Sequence, residues 1–259
     1  MLNFFKKRRR ERVLRDARID EAAWRREIES YNFTRVLNAD ERARLKDLVI
    51  LFLSEKPING AGSLNIDNGA RLAIAIQACM LILNLELDWY KSWTEVIIYP
   101  GEFVARREEV DDAGVVHVVE ASMSGESWEH GTVVLSWADV QQAGHGEGYN
   151  VVMHEFAHQI DMLNGDANGF PPLHADMSRD RWASVFNKAY EHFCKRVDDW
   201  EDTVIDEYAA ENPGEFFAVI SEAFFEMPLA VRGEYPEVYA QLALFYRQDP
   251  AARLPAANG

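Results

Sequence analysis

The chain has 259 residues, 48% of them apolar and 27% charged, which is enough to bury a core and excludes the disordered, collagen-like and low-complexity classes. Lys and Arg number 27 against 43 Asp and Glu, a formal charge of −16, so a broad nucleic-acid-binding face is not expected.

The charge is uneven. Residues 1–15 hold Lys6, Lys7, Arg8, Arg9, Arg10, Arg12 and Arg15 against Glu11 alone, a local +6 that leaves −22 on the rest. A basic head of this kind is able to touch anionic lipid or nucleic acid; the plainer expectation is a flexible, solvated segment over 1–20. The apolar Met1–Phe5 precedes the basic cluster, the wrong order for a secretory peptide, which points to a cytoplasmic protein. Apolar spacing predicts a helix over 11–31 and a second opened by Asp40 and Glu41, carrying Leu45, Leu48, Val49 and Phe52 and stopping before Pro57. Leu72–Leu83 (LAIAIQACMLIL) is too short to span a bilayer and predicts a buried helix near 70–85. Cys79 and Cys194, far apart in apolar surroundings, read as reduced thiols.

Candidate strands follow at Glu95–Tyr99, Phe103–Arg106, Val115–Glu120 and Thr132–Trp137, punctuated by turns such as Asp111-Asp112-Ala113-Gly114. Thr132–Trp137 reads as a core strand, with an edge strand that holds an extended peptide as the alternative. Helical periodicity returns near 149–163, 178–197, 213–226 and 236–247. The expected class is α+β: helices, a small mostly antiparallel sheet, then helices, in one domain over 21–250 with a flexible tail over 251–259.

The strongest chemical signal is His154-Glu155-Phe156-Ala157-His158, an HExxH. Residues four apart share a helix face, so both imidazoles can aim at one ion while Glu155 reaches a water beside it. The flanks Val151, Val152, Met153, Phe156 and Ile160 make the helix apolar, and buried imidazoles there are costly unless satisfied. A catalytic zinc needs a third protein ligand. Asp161 and Asn164 stand where the metzincin pattern needs Gly and His, which excludes that class and leaves Asp161, Asp166, His174, Glu211, Glu215 and Glu222.

Asp161, three residues past His158, is better placed to accept from a ligand imidazole than to bind metal itself. In Tyr208–Ala218, Asn212 suits an N-cap and Pro213 the first turn, which puts Glu215 third in the helix. There it either completes a cap or ligates metal, and Glu222, two turns on, shares its face in an otherwise apolar helix. His117, His130, His145 and His192 have no constellation around them; His174 lies in a loop near the expected cleft.

The runs His154–Asn168 (HEFAHQIDMLNGDAN) and Tyr208–Phe225 (YAAENPGEFFAVISEAFF) closely resemble the Mlc titration factor A family of bacterial zinc peptidases. Glu95–Phe103, Gly125–Trp137 and Phe245–Pro250 extend the resemblance over most of the chain. The catalytic domain of anthrax lethal factor is similar more distantly. The resemblance implies a zincin-like, gluzincin-type domain with one zinc held by His154, His158 and Glu215, and Glu155 as general base. It places Tyr208 where a tyrosine stabilises the oxyanion in lethal factor. It further implies an aminopeptidase-like activity on peptides and binding of the Mlc repressor, with an effect on the glucose phosphotransferase system. A regulatory binding protein with a structural zinc site is the alternative, and Glu155 counts against it.

Overall fold

A computed structural model describes residues 2–101, 103–110, 116–123, 125–127 and 131–254. The basic segment expected to be flexible is helical over α1 (Leu2–Asp16). The helix expected over 11–31 is broken at residues 17–20, because the Asp20 carboxylate accepts from the Ala22 and Ala23 amides and starts α2 (Glu21–Ser30) afresh. After α3 (Asn32–Arg35), Asn38 and Glu41 form a reciprocal cap on α4 (Ala39–Glu55). α1 lies on α4, where Arg10 meets Glu55 at 2.8 Å; Arg10 and Lys6 also meet Asp88, in the 3-10 turn Leu87–Tyr90, at 2.8 and 2.7 Å. Acidic partners from later in the chain thus hold a stretch whose own charges repel.

The sheet corrects the antiparallel expectation. β1 (Ile58–Gly60) leads through the buried α5 (Asn68–Leu81) to β2 (Glu95–Tyr99). β3 (Phe103–Val110) and β4 (Val116–Met123) make a separate antiparallel ribbon before β5 (Gly125–Ser127) and β6 (Thr132–Ser136). The order is β1-β2-β6-β5, with β1, β2 and β6 parallel and β5 antiparallel on the edge. Parallel pairing requires long crossovers, supplied here by α5 and by the β3–β4 ribbon. β6 is an interior strand with Val133 and Leu135 fully buried, so the core reading holds for Thr132–Ser136, while Trp137 already begins the next helix. The turn expected at 111–114 lies outside the described residues, as does Val115.

The remaining chain is helical: α6 (Trp137–Gln142), α7 (Val151–Asp161), α8 (Arg179–Asp198), α9 (Pro213–Glu226), α10 (Pro228–Glu234), α11 (Pro236–Tyr246) and α12 (Pro250–Arg253). α12 buries Ala251, so residues 251–253 are not a loose tail, and 255–259 lie outside the described residues. α7 sits among β5, β6, α5 and α9. Its Phe156 ring is wedged between Tyr90 and Trp93, with ring centroids 5.1 and 5.2 Å away. Cys79 is buried, and neither it nor Cys194 is bridged.

Candidate metal centre

Two helices bring the chemistry together. Asn150 caps α7, its side-chain oxygen accepting from the Met153 amide at 2.9 Å, so the helix begins one turn before His154. Asn212 caps α9 by accepting from the Gly214 and Glu215 amides at 2.9 and 3.0 Å, with Pro213 in the first turn. α7 and α9 pack against each other, and the Glu215 side chain crosses to the two imidazoles.

The three groups converge on one point. His154 Nε2 lies 3.1 Å from His158 Nε2 and 3.0 Å from Glu215 Oε2, and His158 Nε2 lies 3.2 Å from the same oxygen. Ligand atoms bonded tetrahedrally at about 2.0–2.1 Å stand roughly 3.3 Å apart, so these spacings are those of a metal's coordination edges. His154 Nδ1 lies 2.7 Å from Glu222 Oε1 and donates to it, which turns Nε2 toward His158 and Glu215. His154, His158 and Glu215 are therefore a group able to hold a cation.

The electrostatics agree. Burial disfavours a charged His154, yet the adjoining Glu222 and Glu215 carboxylates raise its pKa well above the ordinary imidazole value. Burial also works against ionised Glu215, but the two imidazoles hold its carboxyl far below the usual range. Glu222 is almost wholly buried, and burial pushes its carboxyl up despite the His154 contact. The carboxylates around the rings thus favour positive charge between them, as a proton or as a cation.

Each sequence-selected residue has a definite place. Glu155 is 5% exposed on the same turn of α7 as His154. Tyr208 sits in a short 3-10 turn (Glu207–Ala210) started by Asp206, is 44% exposed, and its ring centroid lies 6.1 Å from that of His154. Asp161 is fully buried, and its Oδ2 accepts from the Gly169 amide at 2.6 Å; burial pushes its carboxyl up to about 6. His158 Nδ1 and Asp161 Oδ1 are both buried without a hydrogen-bond partner among the described residues.

Asp166 and Glu211 are exposed, away from the triangle. His174 is spent elsewhere, its Nε2 at 2.7 Å from the Phe245 carbonyl and its ring edge-on to Trp89. His145 and His192 are exposed, while His130 and the His117 side chain lie outside what is described.

Sequence reasoning missed two residues. The Asn150 amide donates to Glu222 at 2.5 Å, and its side-chain nitrogen donates to Glu226 at 2.9 Å. Glu226, which also accepts from the Gly146 amide at 2.7 Å, is pushed up to about 7 by burial. Glu226 lies one turn past Glu222, and Asn150 occupies a cap position; those were the available signals.

A family model described as "Glucose-regulated metallo-peptidase M90" matches residues 5–247. Among curated proteins, the chain is 38% identical over 223 residues to "Mlc titration factor A" of Salmonella arizonae, covering 84% of this chain and 88% of that protein. The protein of the same name from Salmonella typhimurium is 38% identical over 223 residues, with 84% and 83% covered.

Proposed function

The chain belongs to the glucose-regulated metallo-peptidase M90 family, and on that premise we propose that it is a zinc-dependent peptidase of gluzincin type with aminopeptidase-like action. The observation that carries this reading is the convergence of His154, His158 and Glu215 beside a buried Glu155. In this reading the three are the zinc ligands. A bound zinc supplies Lewis acidity and brings the pKa of a water near neutrality. The Glu155 carboxylate accepts a proton from the attacking water and returns it to the leaving amine nitrogen. The Tyr208 hydroxyl donates to the substrate carbonyl oxygen as that atom gains negative charge. Glu222 fixes the His154 ring by accepting from Nδ1, which keeps Nε2 free to ligate.

The test is a peptidase assay on short peptides before and after chelation, run beside Glu155→Gln with its metal content measured. The expected result is a loss of about 10²–10⁴-fold in the variant with the ion retained. Full activity in the stripped protein, or in the variant, rejects the mechanism.

The relatives' name favours a second role, binding of a repressor of the Mlc type. Under that reading alone the zinc would be structural. A structural site has no use for a buried carboxylate beside its ligands, which is why catalysis is placed first. Repressor binding that survives both Glu155→Gln and chelation would separate the two roles. A cytoplasmic setting suits both, and no helix among the described residues is long and apolar enough to cross a membrane.

A further inference from the structure

α1 has two faces with different employment. Lys6 and Arg10 are committed to Asp88 and Glu55, and Val13 and Leu14 pack against the core. The other side exposes Lys7, Arg8, Arg9, Arg12 and Arg15, none of which makes an ion pair among the described residues. At its first turns Phe4 and Phe5 stand 54% and 65% exposed, rings 6.1 Å apart and edge to face, with the Arg8 guanidinium 4.3 Å over Phe4. The two rings leave apolar surface in water, ringed by cations that have no carboxylate partner among the described residues. They match the boundary between lipid headgroups and acyl chains, where rings enter the apolar layer and cations meet phosphates.

We propose that the outward face of α1 is a peripheral docking surface for an anionic lipid bilayer. The ion pairs to α4 and Asp88 matter because they make the patch a fixed surface of the molecule. Charge then sets the orientation. Beyond residue 15 the chain carries a net −22, so the positive charge concentrated on this helix is what turns it toward an anionic plane. Screening over about 8 Å keeps the patch distinct from the acidic body behind it. A nucleic acid is a poorer match, since its phosphates extend past a single helix face and meet that acidic body. The proposal does not rest on peptidase activity.

Vesicle flotation of the full chain tests it, using phosphatidylcholine alone and phosphatidylcholine with phosphatidylglycerol at roughly one third of the lipid. The expected result is binding to the anionic vesicles only, reversed by high salt. Phe4→Ser/Phe5→Ser and Arg8→Glu/Arg9→Glu/Arg12→Glu should each weaken it by about tenfold or more. Both variants should keep wild-type metal content and circular dichroism, which separates lost docking from lost folding. No binding, equal binding to neutral vesicles, indifference to both variants, or retention of an RNA oligomer without vesicle binding overturns the proposal.

Discussion

Asp161 ends the helix that carries both imidazoles, and its carboxylate turns to the loop that follows. By accepting from the Gly169 amide it holds residues 165–170 in place, with Trp182 Nε1 donating to the Gly169 carbonyl from the far side at 3.0 Å. That loop packs directly on Pro213 and Gly214, one residue from Glu215. Asp161→Ala strands a buried amide at a cost of about 1–3 kcal/mol and loosens the loop that packs on the start of the Glu215 helix. On the proposed reading, zinc affinity should then fall by about tenfold or more, as when other outer hydrogen-bond partners of metal sites are removed. Asp161→Asn keeps an acceptor oxygen and should retain most of it. A competition titration giving equal zinc affinity in all three proteins would refute the bracing role.

Glu226 gives a pH signature. Its folded pKa of about 7 lies above the ordinary carboxyl value because it is buried. Between those values the folded state binds more protons than the unfolded chain, so stability falls as pH rises from about 4.5 to 7. The whole effect is about 3 kcal/mol, present below that window and lost above it. Metal-free Glu226→Gln should lose this slope, whatever constant offset the amide introduces. Thermal melts across the window decide it: parallel curves for variant and wild type count against the assignment.

At the scale of elements, the site depends on how α9 is seated. Gly169 has φ of +75°, and a Cβ there would lie 2.5 Å from the Pro213 carbonyl oxygen. Gly169→Ala should therefore cost about 2–4 kcal/mol, from the left-handed backbone and from displacing Pro213. Because the displaced residue begins the Glu215 helix, metal affinity should fall with it; an unaltered melting temperature would contradict the tight fit. The same elements show what local sequence discloses. The spacing of His154 and His158 and the Asn212-Pro213 start of α9 are written in contiguous residues, and the structure has both helices there. The parallel sheet is not local information. β1 has three residues, and its partner β2 lies beyond α5, so nothing near Pro57 announces the pairing. The Asn150–Glu226 contact spans 76 residues and exists only once α7 and α9 have closed.

For the molecule as a whole, an ion that binds only the folded state adds stability by mass action. At a thousandfold excess over Kd this is about 4 kcal/mol, or roughly 8–16 °C in Tm for a chain this long. Chelation should lower the melting temperature by that order, and His154→Ala should abolish the response. A chelator with no effect on the wild type would mean the ion contributes nothing to the native state.

Glu215 comes 57 residues after His158, and on the proposed reading this interval sets the order of events in assembly. A nascent chain that has emerged only as far as α8 offers two imidazoles without their carboxylate, and holds an ion weakly. Loading then waits for α9 to arrive and seat. On the proposed reading, tightly retained zinc in a preparation counts finished molecules, and an unfilled fraction reports chains that never completed their closing step.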